Sequence, residues 1–518
     1  MRKQTNLHSI AISQPMSKTF RTILLILAAA VLILQFFTFA EGKDIEVRIK
    51  ISADSPTTVE VEGKFLSLTP RKNPRNLSFL NEYGSATGLA ERISNVELSD
   101  RDGHPITYKR FIAGEYVADA DFANWKYRVD LTPPKQQSAA AHVSWIKSDV
   151  GLLMLDDLLP QGSGEKISAA VKVSLPTGWS TSASEPSTSF TPLLPSGGTY
   201  YFEDIEKASL VVARNLREKP LLFNDLFIKL ATSDEWQFSD DEAANLATEI
   251  YKNYAKIFGS SPNKFVQISI MKFPTDIAIG NWEADTRGNS ITIVSSDMPF
   301  KSQSLQRLHE QLRHEMFHLW FPNGVNLSGN YDWFYEGFAL YQSLKLGVAA
   351  NRIRFDDYLN TLSRAYNIDS VQSHRLSLID ASKNRWSGAN TQVYARGMLV
   401  AFLCDLALLE KSKGKLSTDD LVRDIYQKYH LATTRTDGNA AVIDAMRLHP
   451  ELRPIAERYI KGPDKIDWSE ALATAGIEAV TENSLTTLKV VPKPSSRQKD
   501  LLDKLGYNNW RKLTVNNR

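Results

Sequence analysis

The chain has one cysteine in 518 residues, Cys404, so no intrachain disulfide can form and the fold must be held by packing. Cys404 closes the apolar run 399–404, where a buried, inert thiol is expected. Charge of one sign is scarce as well. The 61 basic and 59 acidic residues are interspersed and leave a net charge of +2. That excludes the basic stripe of a nucleic-acid binder. No internal repeat is visible. Apolar content of 42% with 23% charged residues is what a folded protein needs to bury a core.

One stretch lacks charge altogether. Residues 22–40 contain none and follow the basic segment 1–21, with Arg2, Lys3, Lys18 and Arg21. This pattern is an export signal whose basic flank stays in the cytoplasm. Thr38-Phe39-Ala40 offers small residues for cleavage before Glu41-Gly42. Cleaved, the protein is periplasmic or secreted. Uncleaved, the run is nearly long enough to span a bilayer and would anchor the chain with its remainder outside the cytoplasm.

Residues 43–217 read as strands. Ile45-Glu46-Val47-Arg48-Ile49-Lys50-Ile51 alternates strictly, and Val59-Glu60-Val61, 169–175 and 209–213 follow suit. Segment 176–199 is crowded with Gly, Pro, Ser and Thr and reads as loop or turns. The expectation is an antiparallel β-domain. Near Lys219-Pro220 the character changes, and 218–470 mixes strands with helices. Residues 222–230 read as one strand. Ser239-Asp240-Asp241-Glu242 is a capping box opening a helix with Leu246, Ile250, Tyr254 and Ile257 on one face. Residues 265–270 and 290–294 read as strands around a turn-rich stretch, 280–285. From 333 to about 470 the pattern is mostly helical. The tail 471–518 is polar and Lys-rich, a packed extension or a poorly ordered end.

The chemistry concentrates in Arg313-His314-Glu315-Met316-Phe317-His318. Leu305, Leu308, Leu312 and Leu319 recur at helical spacing, so His314 and His318, four apart, share a face and can hold one metal ion. Zn²⁺ suits imidazole nitrogens, with three protein ligands at a catalytic site. Glu315 then sits where it can take a proton from water. His309-Glu310 is a decoy, since Arg313 stands four after His309; it reads as a solvated surface pair. The third ligand is expected at Glu336, with 17 residues between it and His318, on a second helix that the loop 322–331 turns back against the first. Aromatic neighbours of Glu336 imply burial, and a buried carboxylate needs a cation.

Together with Trp333-Phe334-Tyr335-Glu336-Gly337-Phe338-Ala339-Leu340-Tyr341, the motif resembles the gluzincin metallopeptidases. Asp380-Ala381-Ser382, Trp386 and Val393-Tyr394-Ala395-Arg396-Gly397-Met398-Leu399 make the chain similar to the glycyl aminopeptidase family, related to the aminopeptidase N family. The likeness is specific over about 222–429. It implies a multidomain α+β fold, in which an N-terminal antiparallel β-domain precedes a thermolysin-like zincin domain completed by helices. It implies His314, His318 and Glu336 as ligands of one Zn²⁺ per chain, Glu315 as general base, and Tyr394 as the donor to the oxyanion. Gly280 and Glu283 match the glycine and glutamate of a substrate-binding motif, in which the carboxylate would hold a peptide's α-amino group. Their neighbours Asn281, Trp282 and Ala284 depart from the family pattern, and Arg287 offers Glu283 a competing partner. The family's PDZ-like domain has no room in this tail. The expected activity is zinc-dependent removal of N-terminal residues from peptide substrates. An endopeptidase and an inactive peptide-binding protein are the alternatives. The sequence carries no signal of oligomeric state.

Overall fold

The computed structural model describes residues 43–66, 75–162, 166–185, 198–223 and 225–509. The charge-free run 22–40 lies outside them. In the first strand, Ile45–Ser52, alternation becomes burial: Ile45, Val47 and Ile49 face inward and Glu46, Arg48 and Lys50 outward. Seven strands form this sheet, in the order Thr199–Phe202, Ala169–Ser174, Ile45–Ser52, Ser55–Phe65, Asn124–Asp130, Ile93–Ser99, Pro105–Ile106. Its pairs are antiparallel except that Ile45–Ser52 runs parallel to Ala169–Ser174. A parallel neighbour needs a long crossover, and the intervening strands of the domain supply it. A second sheet contains Trp145–Lys147, Val150–Met154, Ser209–Ala213 and Ser180–Ala183. The last of these falls in a segment read as loop. Its Ser-Thr-Ser-Ala run lacks the apolar alternation that marks a strand, and pairing with 209–213 creates it. Both sheets contribute to one core, where Val171 and Tyr127 meet Ile146, Leu153 and Leu210.

The second unit is built on a five-stranded sheet in the order Arg217–Phe223, Leu226–Thr232, Phe265–Lys272, Ser290–Ser295, Trp282–Arg287. The stretch 222–230, read as one strand, is divided between the two arms of a hairpin that pairs Phe223 with Leu226. An apolar count does not see the break between these arms, although Asn and Asp, both turn formers, stand there in the sequence. Pro220 is tolerated because its strand is at the sheet edge. The stretch 280–285 is likewise only partly turn. Trp282–Arg287 is the opposite edge strand, paired antiparallel with 290–295 through a connection at Gly288, whose φ is +56°.

Helix Asp240–Phe258 starts at the expected capping box: Glu242 N–H donates to Ser239 Oγ at 3.2 Å, and Ser239 N–H to Glu242 Oε2 at 3.0 Å. It packs against helix Lys301–Phe317, where the Tyr254 hydroxyl donates to the Arg313 carbonyl at 2.6 Å. Helices Asp332–Ala349 and Gly397–Ser412 complete the layer in one core with the sheet. The helical run Gln392–Ser412 is long and apolar enough to cross a membrane, yet it is mostly buried inside the fold. Cys404 is fully buried, and that burial pushes its thiol pKa up, as its apolar surroundings imply. The tail joins the same core through Leu488, Leu501, Leu502 and Leu505.

Candidate metal centre and cleft

Helix Lys301–Phe317 presents His314 on its last turn, and His318 caps it with αR geometry. The two Nε2 atoms are 3.3 Å apart. Glu336, in the second turn of Asp332–Ala349, brings Oε2 to 3.4 Å from His314 Nε2 and 3.5 Å from His318 Nε2. Donors arranged tetrahedrally at 2.0–2.1 Å from one zinc ion stand roughly 3.3–3.4 Å from one another. The triangle therefore has the size of a single tetrahedral ion's ligand set. All three side chains are buried. His318 Nδ1 lies 3.0 Å from the Phe321 carbonyl, which fixes its proton there and leaves the Nε2 lone pair toward Glu336. Glu336 Oε2 is buried with no hydrogen-bond partner, an orphan that a cation would satisfy. Burial alone would lower the His318 pKa, but Glu336 and Glu315 outweigh it and raise it to about 9. The pocket holds an excess of negative charge. Two imidazoles and a carboxylate of this spacing fit Zn²⁺.

Glu315 stands beside this triangle, with Oε1 3.9 Å from His314 Nε2. Its other oxygen, Oε2, accepts a 2.7 Å hydrogen bond from the Thr286 hydroxyl on the edge strand. Asn323 ties strand to helix: Nδ2 donates to the carbonyls of Thr286 and His318 at 2.9 and 3.0 Å, and Oδ1 accepts from Gly288 N–H at 2.8 Å. The sequence reading missed both residues. A threonine on a polar edge strand and an asparagine in a loop carry no signal until the strand and helix meet.

A cleft of about 910 Å³ opens over the triangle, lined among others by Glu283, His142, Trp282, Tyr394, Arg385 and Trp386. Glu283 is half-buried on the edge strand. Burial raises its pKa; His142 opposes this and Glu315 adds to it. Arg287 does not pair with it. Alternation puts Glu283, Asp285 and Arg287 on one face with Asp285 between the other two, and Arg287 pairs with that nearer carboxylate, Nε donating to Oδ2 at 2.6 Å. Among the described residues the Glu283 carboxylate has no hydrogen-bond or ion-pair partner. Gly280, expected at the substrate, does not line the cleft. Its φ of +88° turns the chain into the edge strand, and its N–H donates to Ser296 Oγ at 2.8 Å.

The β-domain forms one wall. Tyr83, Gly84, Ser138 and His142 line the cleft from that side. Arg287 joins the units: Nη2 donates to the His142 carbonyl at 2.6 Å, and its guanidinium lies 4.0 Å from the Tyr83 ring centroid. His142 Nδ1 is 3.2 Å from Asp285 Oδ2. Burial raises the Asp285 pKa, but Arg287 and His142 outweigh it and hold the carboxyl below the usual range.

Tyr394 lies on a π-helical turn, Gln392–Arg396, before helix Gly397–Ser412, and its ring centroid is 6.4 Å from that of His314. Burial pushes its pKa well up, and Glu336 adds to this, so the phenol stays protonated and able to donate. Its oxygen accepts from Arg385 Nη2 at 2.6 Å. Arg385 was not singled out in the sequence; it is one of the unassigned positions between Ser382 and Trp386. The cation expected beside Glu336 is in part this arginine, with Nη1 3.0 Å from Glu336 Oε1.

His309 is a correction. It is 1% exposed, not on a solvated face. The helix is enclosed on nearly all sides, with residues 311–317 all buried, so the side away from the metal site is interior too. Burial lowers its pKa to about 3, with Arg313 and Arg352 adding to the shift.

No protein-family model and no curated protein sequence matches this chain. Solved structures do. An aminopeptidase N family protein from Idiomarina loihiensis superposes with a TM-score of 0.72 at 15% identity, over 88% of this chain and 82% of that one. An M1 zinc metallopeptidase from Deinococcus radiodurans superposes at 0.53 with 14% identity, over 82% and 94%. A variant of the latter was solved bound to a Tyr-Ser-Ala substrate, and it matches at 0.54 with 14% identity, over 82% and 95%. The class defined is one of architecture: a β-domain set against a mixed sheet, with its helices closing a cleft. This chain has the fold of these metallopeptidases.

Proposed function

We propose that the protein is a zinc aminopeptidase, with His314, His318 and Glu336 holding one Zn²⁺. The observation that carries the reading is the near-equilateral triangle of Nε2, Nε2 and Oε2 atoms, 3.3, 3.4 and 3.5 Å on its sides. Zinc held there supplies a Lewis acid that polarises a peptide carbonyl and acidifies water. Glu315 takes the proton from the attacking water and delivers it to the leaving amine, with Thr286 fixing one of its oxygens so that the other faces the reaction. The partly buried phenol of Tyr394 donates to the carbonyl oxygen as negative charge develops. Glu283, unpaired at the cleft wall, binds the substrate's free α-ammonium and sets the first peptide bond at the reacting groups. The substrates are peptides with a free N-terminus, and the solved relative with Tyr-Ser-Ala bound supports that class.

Elemental analysis of the purified protein is expected to find close to one zinc per chain, and the triple variant His314→Ala, His318→Ala, Glu336→Ala to lose it. Zinc retained by the triple variant overturns the ligand set. A peptide and its N-acetylated form separate exo- from endopeptidase, because acetylation removes the terminal charge. Cleavage of the free form alone, lost in Glu283→Ala, is expected. Equal cleavage of both at internal bonds overturns the aminopeptidase reading in favour of an endopeptidase. Zinc binding without turnover of any peptide would indicate the inactive peptide-binding protein. The proposal includes export through residues 22–40, and N-terminal sequencing of the mature protein from cell fractions tests it.

A further inference from the structure

Arg385 is a largely buried cation at the cleft to which the peptidase reading assigns no task. Its side chain is 12% exposed. Nη1 lies 2.9 Å from Asp332 Oδ1 and 3.0 Å from Glu336 Oε1. Nη2 donates to the Tyr394 hydroxyl at 2.6 Å, and Nε to Asn390 Oδ1 at 3.3 Å. The guanidinium stacks 4.6 Å from the Trp386 ring centroid and 5.2 Å from that of Tyr394.

We propose that Arg385 is a positioning residue for the hydrolysis: one guanidinium fork orients the Glu336 carboxylate toward the histidines and aims and polarises the Tyr394 hydroxyl. The inference rests on the zinc-peptidase reading above.

The fork divides the Glu336 carboxylate. Oε1 is taken by Arg385, and Oε2 alone faces His314 and His318. Carboxylate partners of this kind orient a metal ligand. The fork also decides which way Tyr394 hydrogen-bonds. Guanidinium has donors only, so the phenol oxygen must accept, and its own proton is left for the Glu336 carboxylate at rest and for a substrate oxygen during the reaction. A cation on that oxygen draws electron density from the O–H bond and makes it a stronger donor, since linked hydrogen bonds polarise one another. Asp332 and the Trp386 ring hold the arginine in this pose. Its contacts are with Asp332, Glu336, Asn390 and Tyr394, which argues against a direct role in binding substrate. Lysine, a point charge on a flexible stem, cannot meet Asp332, Glu336 and Tyr394 in one plane.

The test places Arg385→Met and Arg385→Lys in wild-type and Tyr394→Phe backgrounds, assayed at saturating zinc with a peptide bearing a free N-terminus. Zinc affinity of each metal-free protein is measured separately by competition with a chromophoric chelator. In the wild-type background Arg385→Met is expected to lower kcat by about 10²-fold, with KM changed less than about threefold. Zinc affinity should fall about 10–100-fold. With Tyr394→Phe already present, the same substitution should cost at least about tenfold less in kcat, because both act through one hydroxyl. An equal loss in both backgrounds, or an unchanged kcat, overturns the inference. If Arg385→Met does not fold, Arg385→Lys decides: full kcat in that variant overturns the inference, and a folded protein with reduced kcat and weakened zinc binding supports it. Wild-type protein that neither binds zinc nor cleaves peptides overturns the underlying peptidase reading instead, before any variant is compared.

Discussion

Gly337 and Gly397 are in backbone contact. A Cβ built on Gly337 would sit 2.5 Å from Gly397 Cα, and one on Gly397 would sit 2.6 Å from the Trp333 carbonyl oxygen. The two glycines stand one residue after Glu336 and three after Tyr394, so this contact sets how closely the carboxylate and the phenol approach each other. No side chain at either position leaves room for the other helix.

Gly337→Ala is therefore expected to destabilise the protein by about 1–3 kcal/mol, since the clash is with backbone that has no rotamer to give. Urea denaturation measures it. Zinc content should fall with it because Glu336 shifts. A variant of wild-type stability with full zinc would mean that the helices slide apart freely.

Glu315→Gln should keep its zinc and its fold while kcat falls by about 10²–10⁴-fold, the usual worth of a general base. Thr286→Val removes the hydroxyl that donates to Glu315 Oε2 at 2.7 Å and lies 3.2 Å from the Glu315 carbonyl oxygen. It should cost about tenfold in kcat, equivalent to one hydrogen bond of about 1.4 kcal/mol. Elemental analysis alongside the kinetics separates these from metal loss. Loss of zinc in either variant would count against the proton-transfer role.

Arg287 and Asp285 form the charged part of the junction between the units, beside the Ser209–Ser290 hydrogen bond and the packing of Met271 on Trp145. Arg287→Met leaves the Asp285 carboxylate buried with only His142 beside it. Stability should drop by about 3–5 kcal/mol, the cost of an uncompensated buried charge. The double variant Arg287→Met, Asp285→Asn should recover a good part of this. If the single variant unfolds no more readily than wild type, the pair does not support the junction.

His309 makes stability fall in acid. Its folded pKa, about 3, lies below the ordinary value of about 6.5. Between those values the unfolded chain binds a proton that the native chain does not. Stability therefore declines as pH drops below about 6.5, by up to about 1.4 kcal/mol per pH unit from this group, and the decline ends near the folded pKa. His309→Leu should flatten that part of the stability–pH curve in urea titrations. An unchanged slope would assign the acid sensitivity to other groups.

By itself, the sequence determined the elements with strict periodicity. Alternation over 45–51 became a buried strand face, and Ser239 with Glu242 became a helix cap. The two histidines were legible because a helix places residues four apart on one face, and Glu336 because the aromatic helix start around it could return only through a short loop. These are local rules, or nearly so. Tertiary structure alone decided the rest. Trp282–Arg287 is a strand only because 290–295 lies beside it, and Ile45–Ser52 has a parallel neighbour more than a hundred residues away in sequence. Gly280 proved to be a turn residue and His309 an interior one, since a sequence period shows which residues share a face but not whether a polar face is covered or a turn opens on a cleft. Thr286, Asn323 and Arg385 acquire their partners from other elements, brought to hydrogen-bond distance by packing. Chain periodicity specifies which face a residue occupies; what that face meets is set by how the elements pack.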